Sequence, residues 1–168
     1  MEFIDVVSKR EATRMFSDRE VSDEVIKSIL EVGRLAPSAK NMQPTKIIVV
    51  KSREGLNLID NCSSCRYNAP VVLIVCGDKN IAWNNGIESS YEVDASIFAT
   101  HVMLAATNYN VDNIWVKLFD KEKIKTLFNL DDGVEPVCLM PLGYRDEKYS
   151  GSPNHHVRKN LEDIVTYK

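Results

Sequence analysis

The stretch Leu35-Ala36-Pro37-Ser38-Ala39-Lys40-Asn41-Met42-Gln43-Pro44, with the run Lys46-Ile47-Ile48-Val49-Val50-Lys51 just beyond it, decides how this chain is read. Upstream, Ser22 followed by Asp23 and Glu24 marks a helix start with acid in its first turn, and Val25, Ile26, Ile29 and Leu30 supply one apolar face. Pro37 disfavours helical geometry at the residue before it, so that helix is predicted to end near Leu35-Ala36. Downstream, the β-branched run Ile47 to Val50 reads as a buried strand. The segment between them is polar and stiffened by two prolines. Its Ser38, Asn41 and Gln43 offer donors and acceptors that suit the edge of a heterocycle. They equally suit an ordinary helix-to-strand connection, and spacing alone does not choose.

Working outward, residues 2–9 read as a short amphipathic helix, followed by a basic, turn-prone stretch from Lys9 to Arg19. Gly55 to Asn61 is a candidate short helix, Val71 to Cys76 a second buried strand, and Gly77 to Asn85 a loop. Glu92 to Asn108 reads as a long helix that is apolar nearly all round, as a central helix or one at a dimer interface would be. Ile114-Trp115-Val116 is predicted as a third strand, Asp120 as the cap of a helix reaching Phe128, and Val137 to Leu142 as a fourth strand ended by Gly143. From Ser150 the tail is polar until Leu161, Ile164 and Val165, which are expected to dock it. No repeat or linker interrupts residues 1–168, so a single α+β domain with a mixed sheet is expected.

Composition narrows the function classes. With 168 residues, 44% hydrophobic and 27% charged, the chain can bury a core without disulfides or a structural metal. A formal net charge of -3 disfavours a nucleic-acid partner. The apolar runs are too short to span a bilayer, and Met1 to Asp5 lacks a basic start followed by an apolar stretch. A cytoplasmic location, with no membrane partner, is therefore expected. Cys76 and Cys138 lie in apolar runs and read as buried small hydrophobes. Cys62 and Cys65 have C-x-x-C spacing, but no second pair or suitably spaced histidines accompany them. They read as reduced thiols in a surface loop, and no metal site is expected.

The seven glycines form neither G-x-G-x-x-G nor a phosphate-binding loop, and there is no G-x-S-x-G. Two basic clusters remain, Lys9-Arg10-Glu11-Ala12-Thr13-Arg14 and His155-His156-Val157-Arg158-Lys159. Arg10 and Arg14 would share a face if helical, and Arg forks suit phosphate oxygens. If the fold joins the chain ends, the clusters build one phosphate site; otherwise they are solvated charge runs.

Taken together, the R-x-x-x-R stretch, the P-S-x-x-N-x-Q-P loop, the alanine-rich helix opening at Asp94-Ala95 and the closing Val157 to Ile164 segment resemble the nitroreductase family of FMN-dependent oxidoreductases over nearly the whole chain. The resemblance implies a nitroreductase-like α+β fold with a central mixed, mostly antiparallel sheet flanked by helices. It also implies a domain-swapped-type homodimer with FMN at the interface. In that reading Arg10, Glu11, Ala12 and Arg14 form the stretch facing the phosphate and ribityl chain, and His156 and Arg158 complete the phosphate site. Pro37, Ser38 and Ala39 come from the partner subunit, with Asn41 and Gln43 close by. Trp115, Val116, Lys117 and Leu118 pass the ring near N5, and Asn61 is a candidate contact to its pyrimidine edge. The implied activity is ping-pong transfer of hydride from NADH or NADPH to a small electrophile such as a nitroaromatic or quinone. The chemistry is carried at flavin N5, with no side chain assigned as catalytic. A flavin-binding sensor or store with little turnover is the alternative.

Several residues depart from the family pattern. Glu11 is acidic within a basic cluster, Ala12 lacks the usual hydroxyl, and His156 stands where Lys is common. Lys117 and Leu118 replace Glu and Gly, Thr100 and His101 replace a frequent Gln-Asn pair, and the stretch from Gly77 to Glu92 is short.

Overall fold

Helix starts are written locally in side-chain oxygens. Ser22 Oγ accepts the Val25 N–H at 3.3 Å, Ser52 Oγ the Gly55 N–H at 3.1 Å, and Asp120 Oδ1 the Lys123 N–H at 3.0 Å. The computed structural model describes residues 2–168. In chain order its elements are α1 (Phe3–Lys9), α2 (Asp23–Arg34), β1 (Thr45–Val50), α3 (Arg53–Cys62), β2 (Val71–Asp78), α4 (Tyr91–Asn108), β3 (Asp112–Asn113), α5 (Lys121–Leu127) and β4 (Val134–Gly143). Short 3-10 turns cover Ala39–Asn41 and Leu161–Asp163.

The sheet runs β1-β2-β4-β3, and the pairs between these strands are antiparallel. A single parallel bridge, Ala12 to Asn113, makes the whole arrangement mixed but mostly antiparallel, as expected. Every residue of β2 is buried because helices cover both faces of the sheet. The strand's alternation then sorts its side chains into two layers. Val71, Leu73 and Val75 pack with Ile29 of α2 and Ala99 and Val102 of α4. Val72, Ile74 and Cys76 pack with Ile59 of α3 and Ile124 of α5.

Four expectations need correcting. The third strand is only Asp112–Asn113; beyond it Val116 makes a lone bridge with Leu139. Pro141 on β4 accepts the Ile114 N–H at 3.3 Å but has no N–H to return, so the ladder is interrupted there and resumes only at the Val116–Leu139 pair. The tail does not dock on its own chain: Leu161 and Ile164 are 66% and 65% exposed, while Val165 is half-buried. Cys62 is not in a surface loop but ends α3 inside the second core layer, and Cys65 is half-buried beside it. β2 and β4 also outrun the predicted boundaries, because Asp78 and Val134 pair with each other at their far ends.

α2 crosses α4 at Gly33, where a Cβ would lie 2.7 Å from Phe98 Cζ and 2.7 Å from Val102 Cγ2. Alanine gains about 1 kcal/mol of helix propensity there, but overpacking costs roughly 1–3 kcal/mol. Gly33→Ala is therefore expected to lower the urea midpoint. An unchanged or raised midpoint would show that the two helices can part freely. No helix among the described residues is long and apolar enough to cross a membrane.

Candidate active site

Residues 10–16 are extended, not helical. The condition under which Arg10 and Arg14 were to share a helical face is absent, yet they still share a face, because strand periodicity is two. Arg10, Ala12 and Arg14 alternate with Glu11 and Thr13. Thr13 is fully buried and its hydroxyl donates to Asp112 Oδ1 at 3.4 Å. The Glu11 side chain, 9% exposed, accepts the Ser152 N–H and faces Arg145 Nη1 at 3.4 Å. Glu11 thus leaves the face that Arg10, half-buried, and Arg14, exposed, occupy. Four residues of extended chain separate the two arginines by about 13 Å.

This segment lies parallel to a second extended segment. Ala12 bridges Asn113, and the Thr13 N–H donates to the Asn113 carbonyl at 3.1 Å. Continuing past the bridge, Val116 exchanges backbone bonds with Leu139 at 2.9 and 3.0 Å. Among the described residues, the N–H groups of Trp115, Lys117 and Leu118 take no backbone partner. The Leu118 carbonyl accepts the Ser63 hydroxyl at 2.7 Å, which fixes the segment from behind. The two strands therefore present arginines along one line and unpaired N–H donors at the far end of the other. Lys117 turns aside: its Nζ donates to Glu92 Oε1 at 2.9 Å and to the Val137 carbonyl at 3.0 Å. That bond holds the Glu92 carboxyl below the usual carboxylate range.

The chain ends do meet. Tyr149 Oη donates to the Ala12 carbonyl at 2.8 Å, and His155 Nε2 donates to the Ser8 carbonyl at 3.0 Å. His156 lines a cavity of about 690 Å³ together with Ser8, Glu11, Asp112 and Arg145. Arg158 is exposed and folds back on the Asn154 and Val157 carbonyls, the latter at 2.7 Å, so the structure does not gather it with Arg10 and Arg14.

The Pro37–Gln43 loop lines a separate cavity of about 170 Å³ with Arg34, Asp94 and Phe98. Lys40, Asn41 and Gln43 have φ of 48°, 57° and 51°, conformations that cost non-glycine residues on the order of 1 kcal/mol or more each. Specific bonds hold them: Ser38 Oγ accepts the Gln43 N–H at 2.9 Å, and the buried Asp94 accepts the Ala39 N–H at 2.9 Å and the Ser90 hydroxyl at 2.7 Å. A strained loop this firmly anchored presents Pro37, Ser38, Ala39 and Asn41 as a fixed surface. Asn61 is exposed and lies in a groove with Asp120 and Lys123, on the α5 side of the 115–118 segment.

Sequence reading missed Asp94 as an anchor, and it assigned no role to the side chains of Asp112, Arg145 or Tyr149. Their partners lie 33 to 137 residues away, and no spacing rule links them. Cys62, Cys76 and Cys138 are disfavoured as thiolates. Burial pushes the Cys76 and Cys138 thiols up to about 12 and raises Cys62 as well. No group of potential ligands that could hold a metal occurs among the described residues.

With this geometry in hand, known proteins supply a frame. The Nitroreductase family pattern matches residues 7–67 and 63–144. A Methanothermobacter thermautotrophicus protein with the provisional name NADH dehydrogenase/NAD(P)H nitroreductase is 31% identical over 88% of this chain and 79% of its own length. The 4-nitrobenzoate reductase of Pseudomonas putida is 27% identical, covering 87% of this chain and 86% of that one. A nitroreductase family protein from Clostridium difficile has a crystal structure that superposes with a TM-score of 0.93 at 33% identity, over 100% of this chain and 99% of that one.

Proposed function

The chain belongs to the nitroreductase family of oxidoreductases, and from that premise we propose that it binds FMN and passes hydride from NADH or NADPH to a small electrophile such as a nitroaromatic or quinone, in two half-reactions. The observation that carries this reading is the parallel bridge of Ala12 to Asn113, which sets the Arg10–Arg14 stretch beside the start of the 113–118 segment. A phosphate at one end of a long ligand is served by an arginine fork and a histidine, and a polar heterocycle at the other end by unpaired backbone N–H groups. The residues present fit FMN on these grounds. FMN, when bound, supplies hydride chemistry at its N5.

In this proposal Arg10 and His156 bind the phosphate, with Arg158 joining them by turning away from the Asn154 and Val157 carbonyls. Ala12 and Arg14 flank the ribityl chain. Trp115, Val116, Lys117 and Leu118 orient the ring through backbone groups, and Asn61 stands near its pyrimidine edge. Glu11 is left out of direct contact because its carboxylate is already engaged. The Pro37–Gln43 loop lines a different cavity of its own chain, so Pro37, Ser38, Ala39, Asn41 and Gln43 are assigned to the flavin of a second subunit. That calls for a homodimer. Exposed apolar side chains on α1 (Phe3 and Ile4, 67% and 70%), on α4 (Val93, 61%) and in the tail give such a dimer surface to bury. Residues 1–168 act as one domain, and the place of action is the cytoplasm. No side chain is given a catalytic proton; solvent supplies it.

The test is a visible spectrum of the purified protein, titrated anaerobically with NADH and NADPH. Bound flavin that bleaches and returns on adding a nitroaromatic or quinone supports the enzyme. Bound flavin that neither nucleotide reduces favours a flavin-binding sensor or store. A protein that takes up no FMN overturns both.

A further inference from the structure

A polar network joins the two ends of the chain through residues that are far apart in sequence. Arg145, just after β4, is fixed on Asp112 of β3 by three bonds: its N–H to Oδ2 at 3.0 Å, Nε to Oδ1 at 2.8 Å and Nη2 to Oδ1 at 2.5 Å. Asp112 in turn holds the Arg145 guanidinium protonated even more firmly than usual. From there Nη1 reaches Glu11 Oε2 at 3.4 Å, and Glu11 Oε1 takes the Ser152 N–H. Tyr149 closes the circuit onto the Ala12 carbonyl. Gly151 makes the turn possible: its φ is +89°, and a Cβ there would lie 2.9 Å from Glu11 Oε1.

We infer that Glu11, through Arg145 and Ser152, is the positioning residue that clamps segment 149–156 against the basic strand and thereby builds the phosphate end of the flavin site. The inference rests on the flavin reading above. It assigns a role to an acid that would otherwise weaken a phosphate site. The strand's two-residue period puts Glu11 on the face opposite Arg10, and its charge is matched by Arg145. The carboxylate lines the same cavity as His156, and Arg145, which lines it too, matches its charge there.

A clamp at the phosphate end predicts a selective defect, and riboflavin, which lacks the phosphate, is the control. Binding of FMN and of riboflavin would be measured by flavin fluorescence quenching for the wild-type chain and for Glu11→Ala, Glu11→Gln and Gly151→Ala. Glu11→Ala is expected to raise the FMN Kd at least tenfold while moving the riboflavin Kd less than threefold. Glu11→Gln, which keeps an acceptor for the Ser152 N–H, is expected to recover most of the loss. Gly151→Ala strikes the clamp from the tail side and is expected to reproduce the selective defect should Glu11→Ala fold poorly. Equal loss of both ligands, or no loss of either, overturns the clamp and leaves the flavin reading standing. A wild-type chain without affinity for either flavin overturns both.

Discussion

Arg10→Ala should weaken FMN binding by about 1.5–3 kcal/mol, a factor of roughly 10 to 150, and leave riboflavin binding nearly unchanged. Arg14→Ala should weaken both ligands by a smaller and similar factor. The asymmetry follows from the register. Ala12 pairs with Asn113 in a parallel bridge, and Arg10 and Arg14 lie on opposite sides of that bridge. The extended backbone keeps the two guanidinium stems about 13 Å apart, too far for both to fork onto one phosphate without long reaches from each. Arg10 lies at the end where the tail returns, near His155 bonded to Ser8. Arg14 lies toward the unpaired N–H groups of Trp115 to Leu118. The double variant should lose more than either single one. Titration by fluorescence at fixed ionic strength decides the matter, since phosphate contacts weaken with salt. Equal effects of Arg10→Ala on FMN and riboflavin would sink this register-based assignment.

That asymmetry also marks what sequence could and could not tell. The helix caps, the β-branched runs and the P-S-x-x-N-x-Q-P loop are local signals, and α2, β1, β2 and α4 follow from them almost residue by residue. The basic R-x-x-x-R stretch was visible too, but its conformation was not. A helix and a strand both put residues i and i+4 on one face, at very different distances, and only the bridge to Asn113 settles which applies. Ile114-Trp115-Val116 has the composition of a strand, and its ladder is interrupted by a proline on the opposite strand, Pro141, which no local window contains. The role of Glu11 was illegible for the same reason. Its partners Arg145 and Ser152 are more than 130 residues away, so within its own window it reads as a misplaced acid. The tail's Leu161 and Ile164 were expected to dock, and on this chain they stay exposed.

The largest stability effect is expected at the centre of the sheet. Leu73→Ala should destabilise the protein by about 2–5 kcal/mol, whereas Val49→Ala, on the same rung of the ladder, should cost under about 1 kcal/mol. Leu73 pairs with Val49 on one side and Met140 on the other. Leu73 and Met140 are fully buried, while Val49, on the edge strand, is 39% exposed. Truncating Leu73 removes its transfer energy and leaves a hole that little can fill. The strand is hydrogen-bonded on both edges, and α2 and α4 are already in contact at Gly33, where even a methyl group finds no space. Collapse is blocked, so the cavity cost is added nearly in full. At Val49 solvent replaces the lost methyls and no cavity forms. Urea unfolding at one fixed protein concentration gives the comparison, because the apparent stability of the proposed dimer would depend on concentration. Total stability of a domain is on the order of 5–15 kcal/mol, so a Leu73→Ala loss would be plain as a large fall in midpoint at unchanged slope. Equal midpoints for the two variants would mean that the two-sided burial of β2 does not dominate this fold. A fall in slope for Leu73→Ala would instead mean that the layers separate before the sheet does.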